Sequence, residues 1–159
     1  PKKTSKDLPE GVIENSSHTF NDYNIKYFVN YSDVDIKDKI AEAYSNWKRI
    51  GIQTRLECIY KESHDGKTLD FKHSLLQNAV YIYDGYAYNR DEMGNYLWGA
   101  VVGNFGIPLS IAQFGAEKYA QSKTGKPDQY WEVWAYSRAI QKYFIPPIPE
   151  WPYPSHIIR

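Results

Sequence analysis

Hydrophobic positions recur along this chain with two different periods. In "NIKYFVNYS" they alternate, Ile25, Tyr27, Val29 and Tyr31 falling on one side and Lys26, Phe28 and Asn30 on the other, which predicts a strand. The period then lengthens. Ile36, Ile40, Ala43, Tyr44, Trp47 and Ile50 make one stripe of a helix, with Ser32 and Asp35 resembling a capping box and Gly51 supplying the stop. Alternation returns at Ile52, Thr54, Leu56, Cys58 and Tyr60 and predicts a second strand, after which "SHDGKT" turns through Asp65-Gly66. Phe71, Leu75, Ala79 and Ile82 then stand at helical spacing and predict a helix over residues 68 to 80.

Glycine marks the next segment. In "GNYLWGAVVGNFGIP", Gly94, Gly99, Gly103 and Gly106 punctuate an apolar helix, and Gly99 and Gly103 lie four apart on one face. A glycine in a helix interior costs about 1 kcal/mol against alanine, so this spacing predicts that another backbone packs closely there. Pro108 opens a helix that runs to Gly125, and Asp128 is the predicted N-cap of a last helix carrying Val133, Tyr136, Ile140 and Phe144. Residues 1–19 read as a polar lead-in, residues 20–145 as the folded domain and residues 146–159 as an extended tail. The tail has five prolines within nine residues, and its Trp151 and Tyr153 suit a strap on the domain surface. The fold class predicted is a single α+β domain, mostly α-helical, with a short strand region before residue 62 and the Gly-spaced helix buried centrally.

Composition narrows the function. The 159 residues are 42% hydrophobic and 24% charged, a globular balance, and nineteen basic against nineteen acidic residues give no net charge. Long-range attraction to nucleic acid or anionic lipid must therefore come from a local patch. Cys58 is the one cysteine, which excludes an intramolecular disulfide, and it lacks the Cys and His neighbours of a zinc site. No apolar run of membrane-spanning length occurs, and the start "PKKTSKDLPEGVIENSS" has no apolar core like that of a signal peptide, so no membrane partner is expected. Fifteen Tyr and five Trp suit a core rim, a binding groove or a stacking surface alike.

The run "RDEMGNYLWGAVVGNFGIPLSIAQFGAEKYAQ", followed by "PDQYWEVWAYSRAIQKYF", resembles the core of the bacterial polymorphic-toxin family catalogued as toxin 44. The matching positions are Asp91 and Glu92, then Gly94, Asn95, Tyr96, Trp98 and Gly99, then Ala120-Gln121 and Asp128, with Tyr83-Asp84 upstream. Where the family has a Trp-Asp-Tyr-Lys segment this chain reads "YDGY", and the family's Gly-Asp-Asp-Pro-like loop is shortened to "GKPDQ". The resemblance implies the toxin part of a large secreted effector, such as the rearrangement-hotspot proteins fired by the type VI apparatus. It implies delivery into a recipient bacterium, a ribonuclease activity, and a cognate immunity protein that protects the producer.

Metal-independent RNA cleavage needs a base for the 2′-OH, an acid for the leaving oxygen and a cation for the phosphate. The proton carriers on offer are Asp84, Asp91, Glu92 and the histidines, of which His73 stands out because "FKHS" precedes the motif on a predicted helix. His18, His64 and His156 fall in loops or termini. Arg90 would stabilise phosphate charge, Asn95 would orient the loop, and Lys72, Tyr88, Lys118 and Asp128 would contact the nucleic-acid substrate. Between residues 117 and 142, Lys118, Lys123, Lys126, Arg138 and Lys142 interleave with Tyr130, Trp131 and Trp134 as a candidate nucleic-acid face. No ligand spacing indicates a metal site and no cofactor is expected, although Asp84, Asp91, Glu92 and Asp128 leave a divalent ion open. Arg90-Asp91-Glu92 also reads as a plain helix start favoured by the macrodipole. Two other functions fit the composition: an envelope hydrolase that cuts peptidoglycan or its lipid precursor with paired carboxylates, and a non-enzymatic aromatic-rich binding domain.

Overall fold

The computed structural model describes residues 8–14, 25–51, 54–127 and 129–146. Within them the order is β1 (Ile13–Glu14), β2 (Tyr27–Asn30), α1 (Asp33–Ile50), α2 (Arg55–Glu62), a 3₁₀ turn (Phe71–Ser74), β3 (Ala79–Tyr83), β4 (Tyr86–Tyr88), α3 (Arg90–Asn104), α4 (Leu109–Thr124) and α5 (Tyr130–Tyr143). This is the predicted α+β, mostly helical architecture. The strands form one sheet in the order β1-β4-β3-β2, in which β3 and β4 make an antiparallel hairpin and β1 and β2 add parallel strands at its edges.

α1 forms as its pattern requires. Asp35 N–H donates to Ser32 Oγ at 3.3 Å and Ser32 N–H to Asp35 Oδ2 at 2.7 Å, a complete capping box, and the helix ends at Gly51. Ile36, Ile40, Ala43 and Trp47 are its buried stripe.

Two predicted elements are overturned. Residues 55–62 are a helix and not a strand: Thr54 caps it by accepting from Glu57 N–H at 3.1 Å, and Arg55, Cys58 and Ile59 are buried while Leu56 and Tyr60 face solvent. The buried positions thus follow i, i+3, i+4 rather than alternation. The predicted helix over residues 68–80 is instead the 3₁₀ turn followed by β3. Every residue of β3 is buried, because Tyr81 and Tyr83 join the main core while Val80 and Ile82 pack with Ile25, Phe28 and Ala87 on the opposite face. A strand covered on both faces has no polar alternation and passes for a helix segment. β1 and β2 thus lie before residue 62, where strands were expected, while the central hairpin of β3 and β4 lies after it, and β1 falls inside the stretch read as a polar lead-in. Asp84-Gly85 closes the hairpin with φ of 53° and 83°, the positive pair that a two-residue turn matching strand twist requires.

α3 is the central helix, with ten buried residues between Glu92 and Gly103. A Cβ at Gly99 would stand 2.8 Å from Tyr136 Cα and nearer still to its carbonyl oxygen, and one at Gly103 would stand 2.8 Å from Ile140 O. The partner backbone predicted for these glycines is α5. The N-cap of α5 is Gln129, one residue beyond the predicted Asp128, which lies outside the described residues. Residues 147–159, with Trp151 and Tyr153, also lie outside them, as do His18 and His156.

Gly99→Ala and Gly103→Ala are expected to lower the melting temperature, each costing about 1–3 kcal/mol through overpacking, and the leucine variants more. Gly115 in α4 has nothing within 4 Å of its would-be Cβ. Gly115→Ala should therefore raise stability by about 0.5–1 kcal/mol, and thermal denaturation of the set checks the contrast.

Candidate functional site

An open groove of about 380 Å³ runs between α1 and the segment that links α2 to β3, lined by Lys39, Glu42, Lys67, Thr68, Asp70, Phe71, His73 and Ser74. The segment is built from short-range bonds. Lys67 N–H donates to His64 O, Leu69 N–H to Glu62 O and Asp70 N–H to Lys67 O, while Leu69 and Phe71 are buried as its apolar anchors. The 3₁₀ turn then seats against α3, where a Cβ at Gly94 would lie 3.1 Å from Lys72 Cβ and 3.2 Å from its backbone nitrogen. Gly94 thus lets the His73 segment approach the central helix.

His73 projects into solvent with 63% of its side chain exposed, but its Nε2 lies 2.8 Å from Asp70 Oδ2, and the Asp70 side chain is only 8% exposed. A buried carboxylate that accepts from Nε2–H fixes both the ring and its tautomer and leaves Nδ1 with a lone pair. Lys39 and Lys67 bring positive charge to the same groove from two different elements, and Lys39 is 3.7 Å from Glu42. An oriented imidazole can take a proton, and the two lysines of the same concavity, one of them beside Glu42, can meet an anion.

Other candidate residues fall elsewhere. Asp84 sits at the hairpin tip, 3.0 Å from Lys142 Nζ. Arg90, Asp91 and Asn95 are at the start of α3: Arg90 Nε is 3.6 Å from Asp91 Oδ1, and Asn95 Nδ2 donates to the Asp91 carbonyl at 2.9 Å. The five residues from Gly85 to Asn89 traverse β4 at roughly 3.3 Å each, so the tip and the helix start stand roughly 15 Å apart and form no single wall. Glu92 is 2% exposed and completes a capping box, accepting from Asn89 N–H at 2.9 Å as Asn89 Oδ1 accepts from Glu92 N–H at 2.9 Å. Tyr88 is fully buried and, as packed, out of a substrate's reach; burial pushes its hydroxyl up to about 12 despite the neighbouring Arg138. Lys72 packs on α3, and Lys118 lies over the Phe114 ring at 5.4 Å. None of Asp84, Arg90, Asp91, Glu92 or Asn95 lines the groove. Among the described residues, no three His, Cys, Asp or Glu side chains gather as a metal-ligand group.

A second polar cluster ties α5 to the hairpin and α1, with Asp33 and Tyr143 as its unforeseen members. Tyr83 and Tyr143 hydroxyls are 2.5 Å apart, and Tyr143 donates to Asp33 Oδ1 at 2.6 Å. Arg138 stacks on Tyr86 and Trp134 at 4.2 and 4.9 Å, and Lys142 lies 5.0 Å from the Tyr83 ring. The candidate nucleic-acid face divides accordingly: Arg138 and Lys142 meet the hairpin, whereas Lys123 pairs with Asp65. The residues that complete the groove, Asp70, Lys39 and Lys67, carried no signal of their own beyond Asp70 standing three positions before His73.

Hydrogen bonds from Tyr143 and Lys37 hold the Asp33 carboxyl below its usual range. A lowered folded value stabilises the protein above the unfolded value of about 3.9 and is lost as pH falls through the folded value. Tyr143→Phe should move the Asp33 titration upward, as read by carboxyl NMR, and should weaken this acid-side dependence.

No helix among the described residues is long and apolar enough to cross a membrane. Compared with protein-family models, curated proteins and solved structures, the chain finds no match.

Proposed function

We propose that this chain is an antibacterial toxin domain that cleaves RNA inside a recipient cell, using the groove beside His73. The observation that carries this reading is the exposed His73 imidazole held by the buried Asp70 carboxylate, with Lys39 and Lys67 lining the same groove. His73 Nδ1 takes the proton of a ribose 2′-OH, and the 2′-oxygen attacks the adjacent phosphorus. Lys39 and Lys67 neutralise the phosphoryl oxygens as charge builds on them. The bond from phosphorus to the 5′-oxygen breaks, that oxygen leaves with a proton drawn from water in the open groove, and a 2′,3′-cyclic phosphate remains. DNA lacks the 2′-OH and is not cut by this route.

The resemblance to toxin 44 domains supplies the biological setting: a parent secreted effector carries the domain, and a small immunity protein shields the producer. Asp84, Arg90 and Asp91 then serve the surface and the helix start rather than the chemistry, and Glu92 serves as a cap.

His73→Ala should reduce cleavage of an oligoribonucleotide by about 10²–10⁴-fold with the melting temperature unchanged. Lys39→Ala and Lys67→Ala should each cost about tenfold or more. Full RNA cleavage and full toxicity in folded His73→Ala overturns the assignment. Expression with and without a periplasmic signal, followed by inspection of RNA, DNA and cell wall, separates the ribonuclease from an envelope hydrolase.

A further inference from the structure

α4 is an odd member of the fold. Of its sixteen residues only Ala112 is buried, while Ile111 and Phe114 are exposed. Its C-terminal half nevertheless grips the loop that forms one side of the groove. Tyr119 donates its hydroxyl hydrogen to Asp65 Oδ1 at 3.2 Å, and its oxygen lies 3.3 Å from Asp65 N–H. Lys123 forms an ion pair with the other Asp65 oxygen. The His64 ring stands edge-on to Tyr119 and to Tyr60, with centroids 5.1 Å away in each case, and His64 Nδ1 is 2.8 Å from Tyr60 O.

The next residue carries this grip to the catalytic pair. Gly66, at φ of 77°, donates its N–H to Asp70 Oδ2 at 3.0 Å, and the same oxygen lies 2.8 Å from His73 Nε2. A continuous line of contacts therefore runs from Tyr119 and Lys123 through Asp65 and Gly66 to Asp70 and His73.

We propose that Tyr119 and Lys123 are positioning residues for His73, acting from α4 through the Asp65-Gly66 turn on the Asp70 carboxylate; this rests on the ribonuclease reading of the groove. The Asp70 carboxylate holds the imidazole, and its own orientation is shared between Gly66 and His73. If the turn loosens, Gly66 N–H leaves Oδ2, the carboxylate rotates, and the imidazole loses the fixed ring plane and tautomer that proton abstraction needs. The Asp65–Lys123 pair suits this task across neutral pH: the ammonium holds the Asp65 carboxyl below its usual range, and the carboxylate holds Lys123 above its own. Both partners stay charged where an imidazole titrates.

The test uses Tyr119→Phe, Lys123→Gln and the double variant, with Lys48→Gln as a charge-loss control on α1. Each is assayed for kcat and KM on an oligoribonucleotide, and for the His73 imidazole ¹⁵N shifts and Gly66 amide exchange by NMR. The double variant should lose about tenfold to a hundredfold in kcat with KM little changed. Its Gly66 amide should exchange faster, and its His73 nitrogens should drift from one tautomer toward an averaged signal. Wild-type imidazole shifts in the folded double variant overturn the proposal whatever the activity does, as does a loss confined to the melting temperature. Activity that survives His73→Ala condemns the ribonuclease reading instead, and the NMR arm then judges the positioning by itself.

Discussion

The close approach of two backbones, α3 against α5, sets the rest of this structure. At Gly99 and Gly103 the α5 main chain occupies the space where side chains would stand, with Tyr136 Cα and Ile140 O each 2.8 Å from the would-be Cβ positions. The two helices therefore share one fixed separation and rotation. With that face of α5 spent on α3, its Trp134, Arg138 and Lys142 meet the hairpin, and Tyr143 reaches Asp33 at the head of α1. α3 for its part uses Gly94 to seat the 3₁₀ turn and Trp98 Nε1 to donate to Ser63 Oγ at 2.8 Å. A helix this apolar on every side is stable only at the centre of the molecule.

The groove inherits its geometry from that centre. The 3₁₀ turn is held on one side by α3, and the loop before it is held on the other by α4, so His73 sits on a short segment fastened at both flanks. Lys39 arrives from α1, whose Trp47 and Tyr44 rings pack on Phe105 at the end of α3. Imidazole and charge are thereby placed by helices, with His73, Asp70 and Lys67 on a turn and a loop and Lys39 on α1 itself, a common division between scaffold and chemistry.

Much of the helical framework was legible in sequence because capping and periodicity are local. Ser32 with Asp35, the stripe of α1, the glycines of α3, Pro108 before α4 and the apolar positions of α5 all act within a few residues of themselves. The misreadings were local in another way. Thr54-x-x-Glu57 is a helix-start signal hidden beneath an accidental alternation, and Asp84-Gly85 between "AVYIY" and "YAY" is a hairpin turn hidden beneath an accidental helical spacing.

What the sequence by itself determined is the set of local commitments: an α+β chain rich in helix and a central helix with room for a neighbour's backbone. What only the tertiary structure decided is which groups meet. Arg90, Asp91 and Asp84 are close in sequence, yet β4 carries the hairpin tip away from the helix start, and Glu92 turns inward as a cap. Asp70 meets His73, and Lys67 and Lys39 line the same groove although Lys39 is more than thirty residues away. Sheet pairing and helix docking are long-range burial events, and burial on both faces of β3 erased the periodicity that would have announced them.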